Sequence, residues 1–455
     1  MKLKSNILTP QVIFVLLAFI YGISFLLVIP PLQVPDEYEH YYKAWDVSNG
    51  NIIPVKIENK AGIYVPKSLK IATDQVYQKW MFLVKNDRKL DINFLINLPL
   101  KNDEPIFVDI SKYSVVTYSP IVYLAPSIAI AAGKSFNLSP IALLYLGRFA
   151  NLLLWIFIIF MAIRITPVFK WGFVALSLIP MTLFQATSLS ADGITIALSF
   201  LLIVLFLELS LNDNKKKINK KDLGVLFLVI IALSLTKIPY FLLIFLFFMI
   251  PSIKFGGKKK LVSIFLFLFI SSLLTVFLWN MAVKGLYMPL NEGVSIKGQL
   301  FYILPRPFEF LQIVFNSLTV YLHDFPIIFV GNWAFGDDPL PMWIYSTGLI
   351  VLIITALFDN NEIKINIKQK SIILAVFLFI SGLLFFIEYL TWTDVGKAVV
   401  HGMQGRYFIP MIPLAFLLFY NVLDFKLRKL RIMIVIYAII SLTAVIFAFK
   451  NAYFI

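Results

Sequence analysis

Val12-Ile13-Phe14-Val15-Leu16-Leu17-Ala18-Phe19-Ile20-Tyr21-Gly22-Ile23-Ser24-Phe25-Leu26-Leu27-Val28-Ile29 carries no charge, and Pro30-Pro31-Leu32-Gln33-Val34-Pro35-Asp36-Glu37-Tyr38-Glu39-His40-Tyr41 follows it directly. As a helix the first run crosses about 27 Å, close to the hydrocarbon thickness of a bilayer. No small-residue cleavage site precedes the prolines, so the run reads as a retained helix and not a signal peptide. Two adjacent carboxylates, a third two residues on and a histidine therefore stand where a membrane helix ends.

The rest of the chain has the same character. Of 455 residues, 60% are hydrophobic and 14% charged, with mean hydropathy +0.86. Soluble domains carry roughly a quarter charged residues. The expectation is an all-α polytopic membrane protein, a single domain over 1–455. Apolar runs suggest about eleven helices, near 12–29, 141–164, 171–187, 190–211, 222–236, 239–253, 261–282, 340–357, 371–391, 408–424 and 432–449. There are no cysteines, which excludes disulfides, thiolate metal sites and cysteine nucleophiles.

The net charge of +15 is distributed as an orientation signal. Lys2/Lys4, Arg164/Lys170, Lys215 to Lys221, Lys254 to Lys260, Lys364 to Lys370 and Lys426 to Arg431 hold 20 basic residues against five acids. That difference is the whole formal charge, so nucleic-acid binding is not indicated. Short basic loops stay in the cytoplasm. The N-terminus is then cytoplasmic, the C-terminus extracytoplasmic, and 30–140, 283–339 and 392–407 are extracytoplasmic. Residues 30–118 balance eleven acids with eleven bases and include Trp80-Met81-Phe82-Leu83. A segment that long calls for structure of its own, expected as helices lying on the membrane surface. Pro120 to Ala132, short and interrupted by Pro126, reads as interfacial or re-entrant. The stretch 308–331, with Glu309, Gln312, Asn316, His323 and Pro326, is expected along the outer surface, below Asn332-Trp333-Ala334-Phe335-Gly336-Asp337-Asp338.

Ionisable residues in membrane segments are costly and often functional. Arg148, Asp192, Lys237 and Arg406 all fall at outer helix ends on this topology, together with the Asp36–His40 cluster. Each has a plainer reading: a solvated helix cap for Asp36 and Glu37, snorkelling for Lys237, a structural ion pair for Arg148 and Arg406. His40, His323 and His401 could join Asp36 or Asp192 around a divalent cation, though their spacing specifies no metal. No phosphate-cradling glycine loop occurs, which argues against ATP hydrolysis, and no inverted repeat is evident.

An outer carboxylate with outer arginines suits glycosyl transfer from a lipid-linked phosphosugar. The carboxylate takes the proton of an acceptor hydroxyl as it attacks the anomeric carbon. Arginine or lysine holds the leaving phosphate.

Five motifs in order add a resemblance over residues 12 to 425. They are Pro35-Asp36-Glu37-x-x-His40, Tyr118-Ser119-Pro120-x-x-Tyr123, Leu146-Gly147-Arg148-x-x-Asn151, Pro180-Met181-x-x-x-Gln185-x-x-Ser188-x-Ser190-Ala191-Asp192, and Gln404-Gly405-Arg406-Tyr407-x-x-Pro410. The chain resembles a bacterial family of multi-spanning membrane proteins of unknown function grouped with the GT-C glycosyltransferase superfamily. Protein O-mannosyltransferases, the aminoarabinose transferase and oligosaccharyltransferases belong to that superfamily. The resemblance implies a GT-C-like fold with a long helical first external loop. It implies a catalytic carboxylate at Asp36, with Glu37 next, and a second acidic position at Asp192. The superfamily's phosphate-binding lysine would fall at Thr117 or Tyr118, so Arg148 or Arg406, then Lys397 and His401, are the candidates for that role. His40, Tyr118, Gln404 and Tyr407 complete the expected substrate-binding set. The implied activity is transfer of a sugar from a polyprenyl-phosphate donor to an extracytoplasmic cell-envelope glycan or glycolipid at a bacterial plasma membrane. The alternative is a transporter or flippase of a lipid-linked glycan.

Overall fold

The structure is a computed structural model that describes residues 9–85, 98–101, 103–111, 115–289, 291–330, 342–359, 362–423, 425, 427 and 429–453, with side chains left aside at 79–85 and 323–330. Lys2, Lys4, Trp80 to Leu83, the His323 side chain and Asn332 to Asp338 thus lie outside the described residues or side chains.

The chain opens with α1 (Pro10–Val28) and α2 (Glu37–Ser48), separated by the loop 29–36. A small antiparallel sheet follows, which corrects the all-α expectation: β1 (Val55–Ile57), β2 (Lys60–Pro66) and β3 (Pro105–Asp109) in the order β1-β2-β3. The pattern in β2 has period 2, with Ala61, Ile63 and Val65 buried and Tyr64 exposed. Ile57 pairs with Lys60 across a two-residue turn whose Glu58 takes φ 51°. Gly62 sits against β3 so closely that a Cβ there would lie 1.9 Å from the Val108 carbonyl. Within 30–118 the chain thus forms the helices α2 and α3 (Lys67–Lys85) with this sheet beside them.

Pro120–Tyr123 forms a 3₁₀ turn that leads into α4 (Leu124–Ser135). Pro126 sits in the first turn of α4, where a missing N–H costs nothing, so it does not interrupt the helix. At about 18 Å, α4 is too short to cross a bilayer. It packs on α2 and on α5 (Pro140–Ile165), the helix that carries Arg148.

The expected helix 171–187 is two pieces, α6 (Lys170–Ser177) and α7 (Pro180–Ala186). Pro180 cannot donate to the preceding turn, and the residue before it is driven extended. Beyond these lie α8 (Ala191–Leu211) and α9 (Lys220–Ser234). The expected helix 239–253 is instead a 3₁₀ helix, Ile238–Met249, which at about 2.0 Å per residue reaches roughly 24 Å. The remaining helices are α10 (Lys258–Ala282), α11 (Ile296–Ile303), α12 (Pro307–Val330), α13 (Met342–Phe358), α14 (Ile367–Thr391), α15 (Ile412–Phe419) and α16 (Leu430–Tyr453). A 3₁₀ helix, Gly405–Met411, precedes α15, so the expected span 408–424 is broken as well. Pro410 and Pro413 each remove a backbone donor there.

Among the described residues, six helices are long and apolar enough to cross a membrane: α1, α5, α8, α10, α14 and α16. Ile238–Met249, α13 and Gly405–Phe419 are shorter apolar helices. The protein is a helical, membrane-embedded chain. α8 lies at its centre, with most of its length buried against α5, α9 and the 3₁₀ helix Ile238–Met249. α12 is one continuous helix, and its middle fastens the loop 392–407: Tyr321 donates to the Val400 carbonyl at 2.9 Å, and Val400 N donates to Ser317 Oγ at 2.8 Å.

Candidate functional site: a charged cavity at the helix ends

Two loops that follow or precede membrane helices meet here, and one buried ion pair joins them. Arg148 and Glu37 are both fully buried. Arg148 Nε donates to Glu37 Oε1 at 2.8 Å, and its Nη2 donates to Oε2. The same guanidinium donates to the Ile29 and Pro30 carbonyls at 2.9 and 3.0 Å. Glu37 in turn accepts from Leu32 N at 3.1 Å and from Leu189 N at 3.2 Å. One helical turn along α5, Asn151 donates to the Ser188 carbonyl at 2.7 Å. The charges are therefore satisfied by each other and by backbone, as buried charges must be. Loop 29–36 and turn 188–190 are held side by side by this joint. Glu37 and Arg148 belong to it, and neither lines the cavity described next.

That cavity has a volume of about 300 Å³ and is lined by Asp36, His40, Tyr118, Asp192, Lys237, Tyr240, Trp279, Asn280, Tyr287, Glu388, Trp392, Arg406 and Tyr407, among others. It is at the small end of ligand sites, with room for a headgroup. Asp36 enters from the head of α2. Its backbone is left-handed, φ 58°, and its side chain does not cap the helix. A non-glycine residue in that region stores roughly 1 kcal/mol or more, and such strain gathers at functional sites. Burial raises the Asp36 pKa, opposed by the positive charges of Arg406 and Lys237.

Asp192 opens α8, where Ser190 Oγ accepts from its backbone N–H. Two cations share its carboxylate: Lys237 Nζ donates to Oδ1, and Arg406 Nε stands 3.2 Å from Oδ2. The second contact is a charge pair without hydrogen-bond geometry, since Arg406 Nε has no hydrogen-bond partner. Lys237 also lies 4.9 Å from the centre of the Tyr407 ring, and Tyr240 donates to the Tyr407 carbonyl at 2.6 Å. Lys237 is thus a half-buried member of the site, paired with Asp192.

His40 pairs with Tyr123 Oη through Nδ1 at 2.7 Å and stacks on Tyr118 at 5.7 Å. Burial, with the Lys237 and Arg406 charges beside it, lowers its pKa to about 3 against the pull of Asp192, so the imidazole is neutral over the physiological range. Burial likewise raises the Tyr118 phenol.

Six of the expected site residues therefore line one cavity: Asp36, His40, Tyr118, Asp192, Arg406 and Tyr407. Lys397, His401 and Gln404 do not line it. Lys397 offers its carbonyl to Tyr389, His401 N–H donates to Thr393, and Gln404 leads into the 3₁₀ helix that delivers Arg406. Among the described residues, no three His, Asp or Glu side chains gather as metal ligands. Glu388 was missed from the sequence, although an acid near the end of an apolar helix is a recognisable signal. Trp279, Tyr287 and Trp392 gave no signal, because aromatics at helix ends are common in membrane proteins.

Residues 19–415 match the family described as "Predicted membrane protein (DUF2142)", and the chain belongs to that family. No curated protein and no solved structure matches it.

Proposed function

We propose that the protein is a GT-C-type glycosyltransferase of a bacterial plasma membrane, which transfers a sugar from a polyprenyl-phosphate donor to an extracytoplasmic cell-envelope acceptor. One observation carries this reading: Asp36, uncommitted to a helix cap, shares a headgroup-sized cavity with two cations that have a single carboxylate between them. Lys237 and Arg406 are the cations that line the cavity, both turned to Asp192. They suit a lipid phosphate, whose negative charge grows as the sugar leaves. Asp36 is the general base. It accepts the proton of the acceptor hydroxyl while the hydroxyl oxygen bonds to the anomeric carbon and the carbon–phosphate oxygen bond breaks. Asp192 holds the two cations in place. The phosphate ligands are then Lys237 and Arg406, not Arg148.

The test is transfer from a panel of polyprenyl-phosphate sugars by purified protein in proteoliposomes. Asp36→Asn is expected to lower turnover by about 10²-fold or more, with the donor still bound. Full turnover in Asp36→Asn removes the mechanism. Movement of labelled lipid between leaflets without acceptor, and no transfer, replaces it with a flippase.

A further inference from the structure

α14 sends one stripe into the cavity: Leu384, Ile387, Glu388 and Thr391, spaced as neighbours on a helix face. Only one of the four is charged. Glu388 Oε2 is buried and has no hydrogen-bond partner. The loop above comes in tightly over it: Gly402, at φ 82°, lies so near that a Cβ would sit 3.0 Å from Oε2 and 3.0 Å from Trp392. A buried carboxyl oxygen without a donor is costly, and native structures rarely leave one without a reason. The ion pairs of Lys237 and Arg406 run to Asp192 and not to Glu388. The same cavity is lined by the Trp279 and Trp392 rings, the Asn280 amide and the Tyr287 phenol.

We infer that Glu388, with Trp279, Asn280 and Trp392, reads the hydroxyls of the bound headgroup, so that the cavity takes a polyol-bearing lipid phosphate in preference to a bare one. A hydroxyl donates into the orphan carboxyl oxygen, an amide can give and accept, and indole faces cover the apolar face of a pyranose or furanose ring. A phosphate is drawn to Lys237 and Arg406 instead. The ligand is thereby oriented, phosphate on the cations and sugar on the acid. This inference rests on the proposed function and names the recognition that the reaction requires.

The test measures dissociation constants of nanodisc-embedded protein for undecaprenyl phosphate and for the same lipid carrying a hexose, a pentose or an amino sugar. The wild type is expected to favour at least one sugar-bearing lipid by tenfold or more. Glu388→Leu is expected to abolish that preference, and Glu388→Gln to keep part of it. The ratio of the two affinities is the readout, so partial unfolding, which weakens both lipids alike, does not imitate the effect. An undiminished preference in Glu388→Leu, or equal wild-type affinity for bare and sugar-bearing lipid, overturns the inference and leaves lipid-phosphate binding standing. Binding of neither lipid overturns the proposed function itself.

Discussion

Asp36 and Glu37 are adjacent in sequence and opposite in circumstance. Asp36 sits in a left-handed turn, half-buried at the cavity wall, while Glu37 turns inward onto Arg148. Their backbone difference separates the two: the left-handed residue reverses the chain direction just before α2 begins. The pH behaviour of the site follows from its environment. Because burial raises the Asp36 pKa, the acidic limb of the transfer rate is expected above the ordinary aspartate range. A rate that stays flat down to pH 4 would contradict Asp36 as base. His40 acts with the opposite sign. Its folded pKa of about 3 lies below the unfolded value of 6.5, so between these the unfolded chain binds a proton that the folded chain does not. Stability from this residue is present above pH 6.5 and is lost as pH falls, by about 1.4 kcal/mol per pH unit. Thermal unfolding of detergent-solubilised wild type and His40→Gln across pH 7 to 4 checks it: the gap between the two proteins is expected to shrink as the pH drops.

At the scale of elements, α5 acts as a fastening strip. Arg148 ties down loop 29–36, and Asn151 one turn later ties down the turn before α8. Asp36 and Asp192 reach the same cavity because Glu37 and Arg148 draw their two loops together. Removing one partner of a buried pair leaves a bare buried charge and costs about 3–5 kcal/mol. Arg148→Met is therefore expected to lower the unfolding temperature sharply. The double variant Glu37→Gln/Arg148→Met is expected to recover part of the loss, since no charge is then stranded. A double variant as unstable as the sum of the singles would show that the two residues act independently. The broken helices fit the same scheme. Prolines at 180, 410 and 413 each withhold a backbone donor near the site, and the short 3₁₀ segment Gly405–Met411 brings Arg406 to the cavity while Asp192 comes from the first turn of α8.

For the whole molecule, the six long apolar helices among the described residues and the family match establish a membrane-embedded chain. The orientation in the proposed function rests on the basic loops and the positive-inside rule. The absence of cysteine makes this directly measurable. Asn51 and Lys216 are exposed on opposite sides of the proposed topology. In intact cells a membrane-impermeant maleimide is expected to label Asn51→Cys and to reach Lys216→Cys only after permeabilisation. Labelling of Lys216→Cys in intact cells would place the cavity on the cytoplasmic face and remove extracytoplasmic transfer.

Much of this was legible in the linear order of residues. Apolar runs separated by basic loops specify a membrane protein, because hydrocarbon admits only stretches that satisfy their own backbone. The individual charges also announced themselves, since an ionised group in an apolar helix is too costly to be incidental. The sequence could not say which of them are partners. Arg148, a candidate for the donor phosphate with an ion pair as its plainer reading, pairs with Glu37; Lys237, for which snorkelling was the plainer reading, pairs with Asp192. Pairing of charges is decided by distances between segments 45 and 111 residues apart in sequence, and local pattern carries no information about those. The sheet escaped notice for a related reason, as its strands are short and one of them, β3, pairs across forty residues of intervening chain. Membrane character, and the residue types able to do the chemistry, were determined by sequence alone. Which carboxylate faces the cavity, which cations remain for a ligand, and that Glu388 joins them were decided only by the tertiary packing, because burial and proximity, not identity, set what a charged side chain can do.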